Sequence, residues 1–170
     1  MRKPIFLLLL TAFSICLSAQ TDIVKKGDKM PFFELESYAN GNISSSQLDN
    51  KVTLIVIFAT WCPPCQQELG ALQQAIDKQK IRFGKDNSDL AILVVGREHN
   101  EEELIAYKEK KGFTFPIYPD PNREFTAKFA TQSIPRAYLF DKNGKIVYTS
   151  VGYDEKEFQQ LVNTIDKLLK

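Results

Sequence analysis

The segment Trp61-Cys62-Pro63-Pro64-Cys65 constrains the fold of this chain more than any other feature. It follows an apolar run, residues 52–59, and precedes a helical pattern. An uninterrupted apolar run indicates a strand buried on both faces, so the cysteines are predicted at a strand-to-helix junction. Unpaired N–H groups at a helix start stabilise a thiolate, and a second thiol one turn on can close a small ring. The spacing therefore predicts dithiol–disulfide exchange.

The beginning of the chain has a different composition from the rest. A short basic start precedes an apolar stretch, residues 4–17, and the small residue Ala19. This pattern predicts a secretory signal peptide over residues 1–19 and one mature domain over residues 20–170. The apolar stretch is short for a transmembrane helix, and an uncleaved membrane anchor is the alternative.

Cysteine usage supports a redox pair. A lipoprotein at Cys16 is disfavoured, because that processing wants a small residue before the cysteine and Ile15 is not small. Cleavage would leave Cys62 and Cys65 alone in an exported protein, which indicates a redox-active pair. A zinc site would need two further ligands, and His99, predicted as a surface loop residue, is the single histidine. The net charge of +1 gives no indication of nucleic-acid binding.

The hydrophobic pattern predicts alternating strands and helices after a small hairpin. The hairpin turns at Asn40-Gly41, between residues 32–37 and 42–45. Strands are predicted at residues 52–59, 90–95, 113–118, 137–140 and 145–151, and helices at residues 63–80, 101–111, 123–130 and 154–169. The early alternation implies parallel pairing, and the final hairpin adds an antiparallel edge.

Several of these features together resemble the thioredoxin-like superfamily. Trp61 to Cys65 is similar to its active-site motif, and Ile134-Pro135, just before a strand and hairpin, is similar to its cis-proline segment. The hairpin and the helix–strand insertion between residues 100 and 118 resemble exported TlpA/ResA-type proteins. The resemblance covers residues 28–170. It implies an α/β thioredoxin-like fold, with a central mixed sheet flanked by helices, an N-terminal β-hairpin extension and a helix–strand insertion.

The motif and the resemblance together give each cysteine a role. Cys62, at the helix start, is expected to be partly exposed and to act as the attacking nucleophile. Cys65, one turn further on the apolar face, is expected to resolve the mixed disulfide. The alternative is a static structural disulfide, although so small a ring constrains little chain entropy.

The supporting residues surround the cysteines. Trp61 is expected beside the thiols, where it shapes the docking surface, and Pro63 and Pro64 lie between the cysteines. Because Pro64 has no N–H, the Cys62 thiolate loses a donor. By the resemblance, Pro135 is expected to be cis and to lie against the disulfide, leaving the backbone of Ile134 to pair with a partner chain.

Glu68 is the remaining candidate. It follows Cys65 by three residues, so both side chains leave nearly the same face of the helix. An inward acid there could exchange protons with Cys65, and TlpA/ResA-type proteins resemble this arrangement. Thioredoxins proper carry a buried acid on the preceding strand, where this chain has Val56. The alternative is an ordinary solvated helix residue.

The sequence thus predicts an exported, extracytoplasmic thiol–disulfide oxidoreductase that acts as a reductant and needs no separate cofactor. The expected partners are disulfide-containing exported proteins such as an apocytochrome c, and a membrane or exported thiol oxidoreductase as electron donor. A membrane contact follows only if the N-terminal segment stays uncleaved. One alternative is a thiol peroxidase, whose usual Thr or Ser three residues before the cysteine is Ala59 here. Another is a copper-handling protein, which usually separates its cysteines by three residues.

Overall fold

The computed structural model describes residues 22–83 and 89–170, so the predicted signal peptide and Cys16 lie outside the described residues. The strands are β1 (Glu34–Leu35), β2 (Ile43–Ser44), β3 (Val52–Phe58), β4 (Leu90–Arg97), β5 (Ile117–Asp120), β6 (Arg136–Phe140) and β7 (Ile146–Val151). The helices are α1 (Pro63–Asp77), α2 (Glu101–Lys111) and α3 (Glu155–Leu168), and 3-10 turns span Ser45–Leu48 and Thr126–Lys128. No helix in these ranges is both long and apolar enough to span a bilayer.

A mixed five-stranded sheet in the order β5-β4-β3-β6-β7 forms the centre of the fold. Strands β3, β4 and β5 run parallel, whereas β6 pairs antiparallel with both of its neighbours, β3 and β7, as the alternation and the final hairpin predicted. The N-terminal hairpin is confirmed as a separate pair, β1 with β2. This arrangement puts the end of β3 and the start of α1 at the middle of the sheet, at the end where the parallel strands finish.

The two faces of β3 enter different clusters of the core. All seven residues of β3 are buried. Leu54, Val56 and Phe58 belong to the cluster that α1 and α3 cover. Ile55 and Ile57 pack on the opposite face with aromatic residues of the hairpin side and of the second 3-10 turn, including Phe33, Phe125 and Phe129. Because both faces are covered, an uninterrupted apolar strand is the sequence that fits this position.

Two predicted elements near β5 were wrong in extent. The helix expected over residues 123–130 is only the 3-10 turn Thr126–Lys128. The Asp120 carboxylate accepts hydrogen bonds from the backbone nitrogens of Phe125 and Thr126, which ties this segment to the end of β5. The strand expected over residues 113–118 starts only at Ile117, and Phe113 and Phe115 stack on each other in the core before it begins.

The edge strand β5 contains Pro119. The Pro116 and Asp120 carbonyl oxygens accept hydrogen bonds from the backbone nitrogens of Val94 and Glu98, so these carbonyls point towards β4. Successive backbone groups of a strand point in opposite directions. Pro119 therefore has its backbone nitrogen on the open side of the sheet.

The first described residues are fastened to the active-site side of the core. Arg136 is 1% exposed, and its guanidinium forms an ion pair with Asp22. Arg136 Nε donates to the carbonyl oxygens of Gln132 and Ser133, which precede the Ile134-Pro135 segment. The Asp22 carboxylate also accepts a hydrogen bond from the Tyr138 hydroxyl at 3.0 Å. A buried arginine thus joins Asp22 to the loop before Pro135.

Candidate active site

Cys62 and Cys65 form a disulfide at the start of α1. Cys62 occupies the N-cap position, and its Sγ accepts a hydrogen bond from the Cys65 backbone N–H at 3.3 Å. The helix begins at Pro63, a position where proline fits because the first helical N–H needs no partner within the helix. The strand-to-helix junction predicted from the sequence is therefore confirmed.

The cysteines lie deeper than expected. Cys65 is fully buried, as its position on the apolar face predicted, but Cys62 is only 4% exposed. The expectation of a partly exposed Cys62 was wrong for the disulfide form, because its sulfur is bonded to Cys65 and packs against the Ile134 segment. Of the two, Cys62 retains the small exposed surface.

The Ile134–Pro135 peptide bond is cis, as the resemblance predicted. The carbonyl oxygen of Ile134 lies 3.8 Å from Cys62 Sγ, so this segment contacts the disulfide directly. The Pro135 carbonyl accepts a hydrogen bond from the Gly152 backbone nitrogen at 2.9 Å, which holds the loop to the end of β7. The fold thus brings residues 62 and 134, far apart in sequence, together in one site.

Two large apolar side chains beside this site are exposed. Trp61, next to Cys62, is 59% exposed, and its indole lies under the guanidinium of Arg97, 5.9 Å from the ring centroid. Val151, at the end of β7 and opposite Arg136 in the ladder, is 45% exposed. Exposed apolar side chains next to a reactive group are typical of a protein-docking surface.

Glu68 faces the interior. It is 3% exposed, and its Oε2 atom has no hydrogen-bond partner among the described residues. Burial raises the pKa of Glu68 to about 8. A cavity of about 10 Å³ beside it is lined by residues of β7, of α3 and of the connection between them, including Ser150, Tyr153 and Glu157. That volume is enough for about one water molecule. The inward orientation expected for Glu68 is therefore found, and the solvated alternative is not.

His99 was wrongly expected on the surface. It is 7% exposed, because its ring packs between the Thr60 backbone and the Glu103 carboxylate. No local pattern indicated this position, since the contact with Thr60 joins residues 39 positions apart. Within the described ranges, no group of three or more histidine, cysteine or acidic side chains is arranged to hold a metal ion.

Comparison with known proteins agrees with this geometry. The family model described as Redoxin matches residues 25–169. The chain belongs to the Redoxin family. Among curated redoxin relatives, the thioredoxin-like protein YneN of Bacillus subtilis is 28% identical over 138 residues, which cover 81% of this chain and 78% of YneN. The thiol-disulfide oxidoreductase ResA of Geobacillus thermodenitrificans is 27% identical over 161 residues, which cover 92% and 89% of the two chains.

A solved structure supports the same fold for this redoxin. The solution structure of a putative protein disulfide isomerase from Bacteroides thetaiotaomicron has a TM-score of 0.81 and 31% sequence identity. The match covers 89% of this chain and 94% of that one. The predicted thioredoxin-like fold, with its TlpA/ResA-type hairpin, is confirmed.

The site and the relatives agree on the chemistry. This redoxin is a thiol–disulfide oxidoreductase whose redox group is the Cys62–Cys65 pair. The thiol peroxidase and copper-handling alternatives are not favoured, since the relatives carry names of thiol–disulfide enzymes.

Proposed function

We propose that the protein is an exported reductant that transfers two electrons from the Cys62/Cys65 dithiol to disulfides of partner proteins. The observation that carries this proposal is the asymmetry of the pair. Cys62 lies at the helix start with the small exposed surface, and Cys65 lies one turn inside, followed by the buried acid Glu68. A partner can therefore reach the Cys62 sulfur, whereas the Cys65 sulfur is buried behind it and reacts only with Cys62.

In the proposed reaction the Cys62 thiolate attacks one sulfur of a partner disulfide. The Cys62–partner bond forms, the partner's own disulfide breaks, and its second sulfur leaves as a thiolate that takes up a proton. Cys65 then loses its proton and attacks Cys62 Sγ. The mixed disulfide breaks, the partner leaves as a dithiol, and the Cys62–Cys65 disulfide remains. The partner gains two electrons and two protons. The pair supplies both electrons and the Cys65 proton, and the other proton is the one that Cys62 released to solvent when it ionised.

Glu68 is proposed to exchange a proton with Cys65 within this cycle. A carboxyl group with a pKa near 8 can take up or release a proton close to neutral pH. The adjacent cavity, large enough for about one water molecule, gives that proton a route past the side chain.

The docking surface favours an extended partner segment. Trp61 and Val151 offer apolar contact on either side of the disulfide, and the backbone of Ile134 lies beside Cys62. Pro135 has no N–H to compete for a partner chain. The residues between the cysteines, Pro63 and Pro64, are also exposed, next to the disulfide. An unfolded or extended disulfide-bearing chain fits this surface better than a compact protein does.

Location and partners follow from the beginning of the sequence and from the family resemblance. A signal peptide over residues 1–19 would deliver the domain, residues 20–170, to an extracytoplasmic compartment such as a periplasm. A disulfide-bearing exported protein, of which an apocytochrome c is one candidate, would be the electron acceptor. A thiol oxidoreductase in or beyond the membrane would return the electrons.

The reduction potential of the Cys62–Cys65 couple tests the proposal. Pro64 has no N–H, and among the residues that the structure describes the hydrogen bond that Cys62 Sγ accepts comes from the Cys65 nitrogen. With few donors for the thiolate, the reduced form gains little stability, so we expect a potential closer to thioredoxin's, about −270 mV, than to DsbA's, about −120 mV. Titration against glutathione measures it. A value near the oxidising end would overturn the reductant assignment, and failure to reduce insulin would overturn the exchange function.

A further inference from the structure

We propose that His99 is a positioning residue of the active site, which holds the segment before Cys62 through the backbone of Thr60. The inference rests on the proposed dithiol exchange. It comes from a chain of hydrogen bonds that runs from the start of α2, through the buried imidazole, to the residue that joins β3 to the Trp61–Cys65 motif.

Both ring nitrogens of His99 have partners. Nε2 lies 3.0 Å from the backbone nitrogen of Thr60 and 3.2 Å from its Oγ1. Nδ1 lies 3.0 Å from Oε2 of Glu103. The Asn100 backbone nitrogen donates to the same carboxylate oxygen at 3.2 Å, as part of the cap of α2. The ring is thus fixed between a helix start and the active-site segment.

These partners determine which ring nitrogen carries the proton. A backbone N–H can only donate, so His99 Nε2 must be an unprotonated acceptor towards Thr60. The single proton of a neutral imidazole then lies on Nδ1, where it is donated to Glu103. The pKa of Glu103 is lowered, chiefly by its hydrogen bond with His99, which favours the carboxylate that accepts this proton. Glu103 therefore selects the tautomer that can hold Thr60.

Thr60 lies two residues before Cys62, so a small displacement of Thr60 would also displace the nucleophile. Its N–H is bound by His99, and its carbonyl oxygen accepts a hydrogen bond from Gln66 Nε2 at 2.8 Å. The Cys62 backbone nitrogen donates to the Ala59 carbonyl oxygen at 3.2 Å and closes the turn around Thr60. Two side chains thus fix both backbone groups of the residue at the centre of this turn. Misplacing a reacting group by about 1 Å can cost about 100-fold in rate.

Two replacements of His99 separate positioning from general stability. In His99→Gln the amide oxygen can accept from Thr60 and the amide nitrogen can donate to Glu103, so the chain of bonds can be kept. In His99→Phe the volume is similar but both bonds are lost. We expect His99→Phe to lower kcat/KM for disulfide reduction by about 10- to 100-fold, by the misplacement argument, and His99→Gln to restore most of it. Unfolding midpoints of both variants are measured alongside.

Neighbouring acids on α2 provide a matched control. Glu103→Ala and Glu102→Ala both remove a carboxylate from the first turn of the helix, but only Glu103 contacts His99. Glu103→Ala should lower kcat/KM, and Glu102→Ala should leave it at the wild-type value. Equal effects of the two replacements would contradict the proposal.

A measurement on the unmodified protein keeps the proposal testable if His99→Phe does not fold. Nitrogen-15 NMR should show His99 with an unprotonated Nε2, a protonated Nδ1, and a scalar coupling across the hydrogen bond from the Thr60 amide to Nε2. The opposite tautomer, or an absent coupling, would overturn the arrangement whether or not the protein exchanges disulfides. Wild-type turnover by His99→Phe, or an equal loss in His99→Gln, would overturn the positioning role while leaving the proposed function in place.

Discussion

Cys62 and Cys65 share one bond but have different surroundings. Cys62 retains a small exposed surface next to the open indole of Trp61, whereas Cys65 has none and lies among the apolar residues under α1. A thiol in an apolar interior favours its neutral form, since burial disfavours the charged thiolate. The difference in depth supports the proposal that Cys62 is the thiolate that a partner meets and that Cys65 is the thiol that acts afterwards.

This order of action predicts which variant accumulates captured partners. In Cys65→Ser, Cys62 can still attack but no second thiol can release the partner, so mixed disulfides should accumulate on exported proteins. Non-reducing gels of cells that make this variant would reveal them. Cys62→Ser is the matched control and should capture nothing. Capture by Cys62→Ser alone would mean that the two roles are reversed.

Glu68 predicts a dependence of stability on pH. Its pKa is about 8 in the fold against an ordinary value of 4.5, so the folded state keeps a proton that the unfolded chain releases. A group that binds its proton more tightly when folded makes stability fall as pH rises. The loss runs from about pH 4.5 to about pH 8 and totals on the order of 5 kcal/mol.

Glu68→Gln should remove this slope, because glutamine keeps the shape and cannot ionise. Urea unfolding of the disulfide form between pH 4 and pH 9, roughly the span of the two pKa values, would measure the difference from wild type. Glu157→Gln changes an exposed acid at the same cavity and should leave the slope unchanged. The pH–rate profile of exchange should also change in Glu68→Gln alone. Identical profiles in wild type and Glu68→Gln would exclude Glu68 from proton transfer.

At the scale of elements, Gly96 and Gly70 differ in whether the fold has room for a side chain. A Cβ atom at Gly96 in β4 would lie 2.5 Å from Cδ2 of Leu104 in α2, whereas at Gly70 in α1 it would meet nothing within 4 Å. The side chain of Leu104 therefore occupies the space that a side chain at position 96 would need. In α1 the glycine leaves a helix interior without the side chain that would favour it.

We accordingly expect replacement by alanine to have opposite effects on stability at the two positions. Gly96→Ala should destabilise the fold by about 1–3 kcal/mol through overpacking. Gly70→Ala should stabilise it by about 1 kcal/mol through helix propensity. Denaturant unfolding measures both. In a double-mutant cycle, Gly96→Ala should cost less once Leu104→Ala has made room, and a cost independent of Leu104 would contradict the contact.

Local chemistry predicts the elements that it controls. Apolar runs predicted β3 and β4, and the hydrophobic pattern predicted α2 over residues 101–111, the bounds that the structure has. The short turn after β5 was mistaken for a helix because the backbone nitrogens of Phe125 and Thr126 bond to the Asp120 carboxylate, outside the predicted segment. A sequence pattern read over a few residues cannot reveal a hydrogen-bond partner that lies outside those residues.

At the scale of the whole molecule, the same limit explains what the sequence missed in the site. The Cys-x-x-Cys motif and the Ile-Pro pair could be found because each is a short segment that resembles a motif of the thioredoxin-like superfamily. The burial of His99 depends on Thr60, and the burial of Arg136 depends on Asp22, which is more than 100 positions away. Such residues look like ordinary surface polar groups until the chain is folded.

The Asp22–Arg136 pair predicts that the start of the described chain stabilises the entire fold. Asp22→Asn leaves the buried guanidinium without its counter-charge. We expect a loss of about 2 kcal/mol, less than the about 3–5 kcal/mol for a fully buried pair, because the Asp22 side chain is 32% exposed. Chemical denaturation checks this value. Asp28→Asn replaces a half-buried acid of the same segment that accepts a hydrogen bond from the Lys25 backbone nitrogen. It should change stability little, and an equal loss in both variants would contradict the pairing.

The backbone nitrogen of Pro119 on the open side of β5 has a consequence for how copies of this protein meet. An edge strand with a regular row of free donors invites a strand from a neighbouring molecule to join the sheet, which is one route to aggregation. Here one of those donors is replaced by a ring that a second backbone cannot approach closely. The buried, strongly apolar strands β3 and β4 are thus shielded, on the β5 side, from recruitment into an intermolecular sheet.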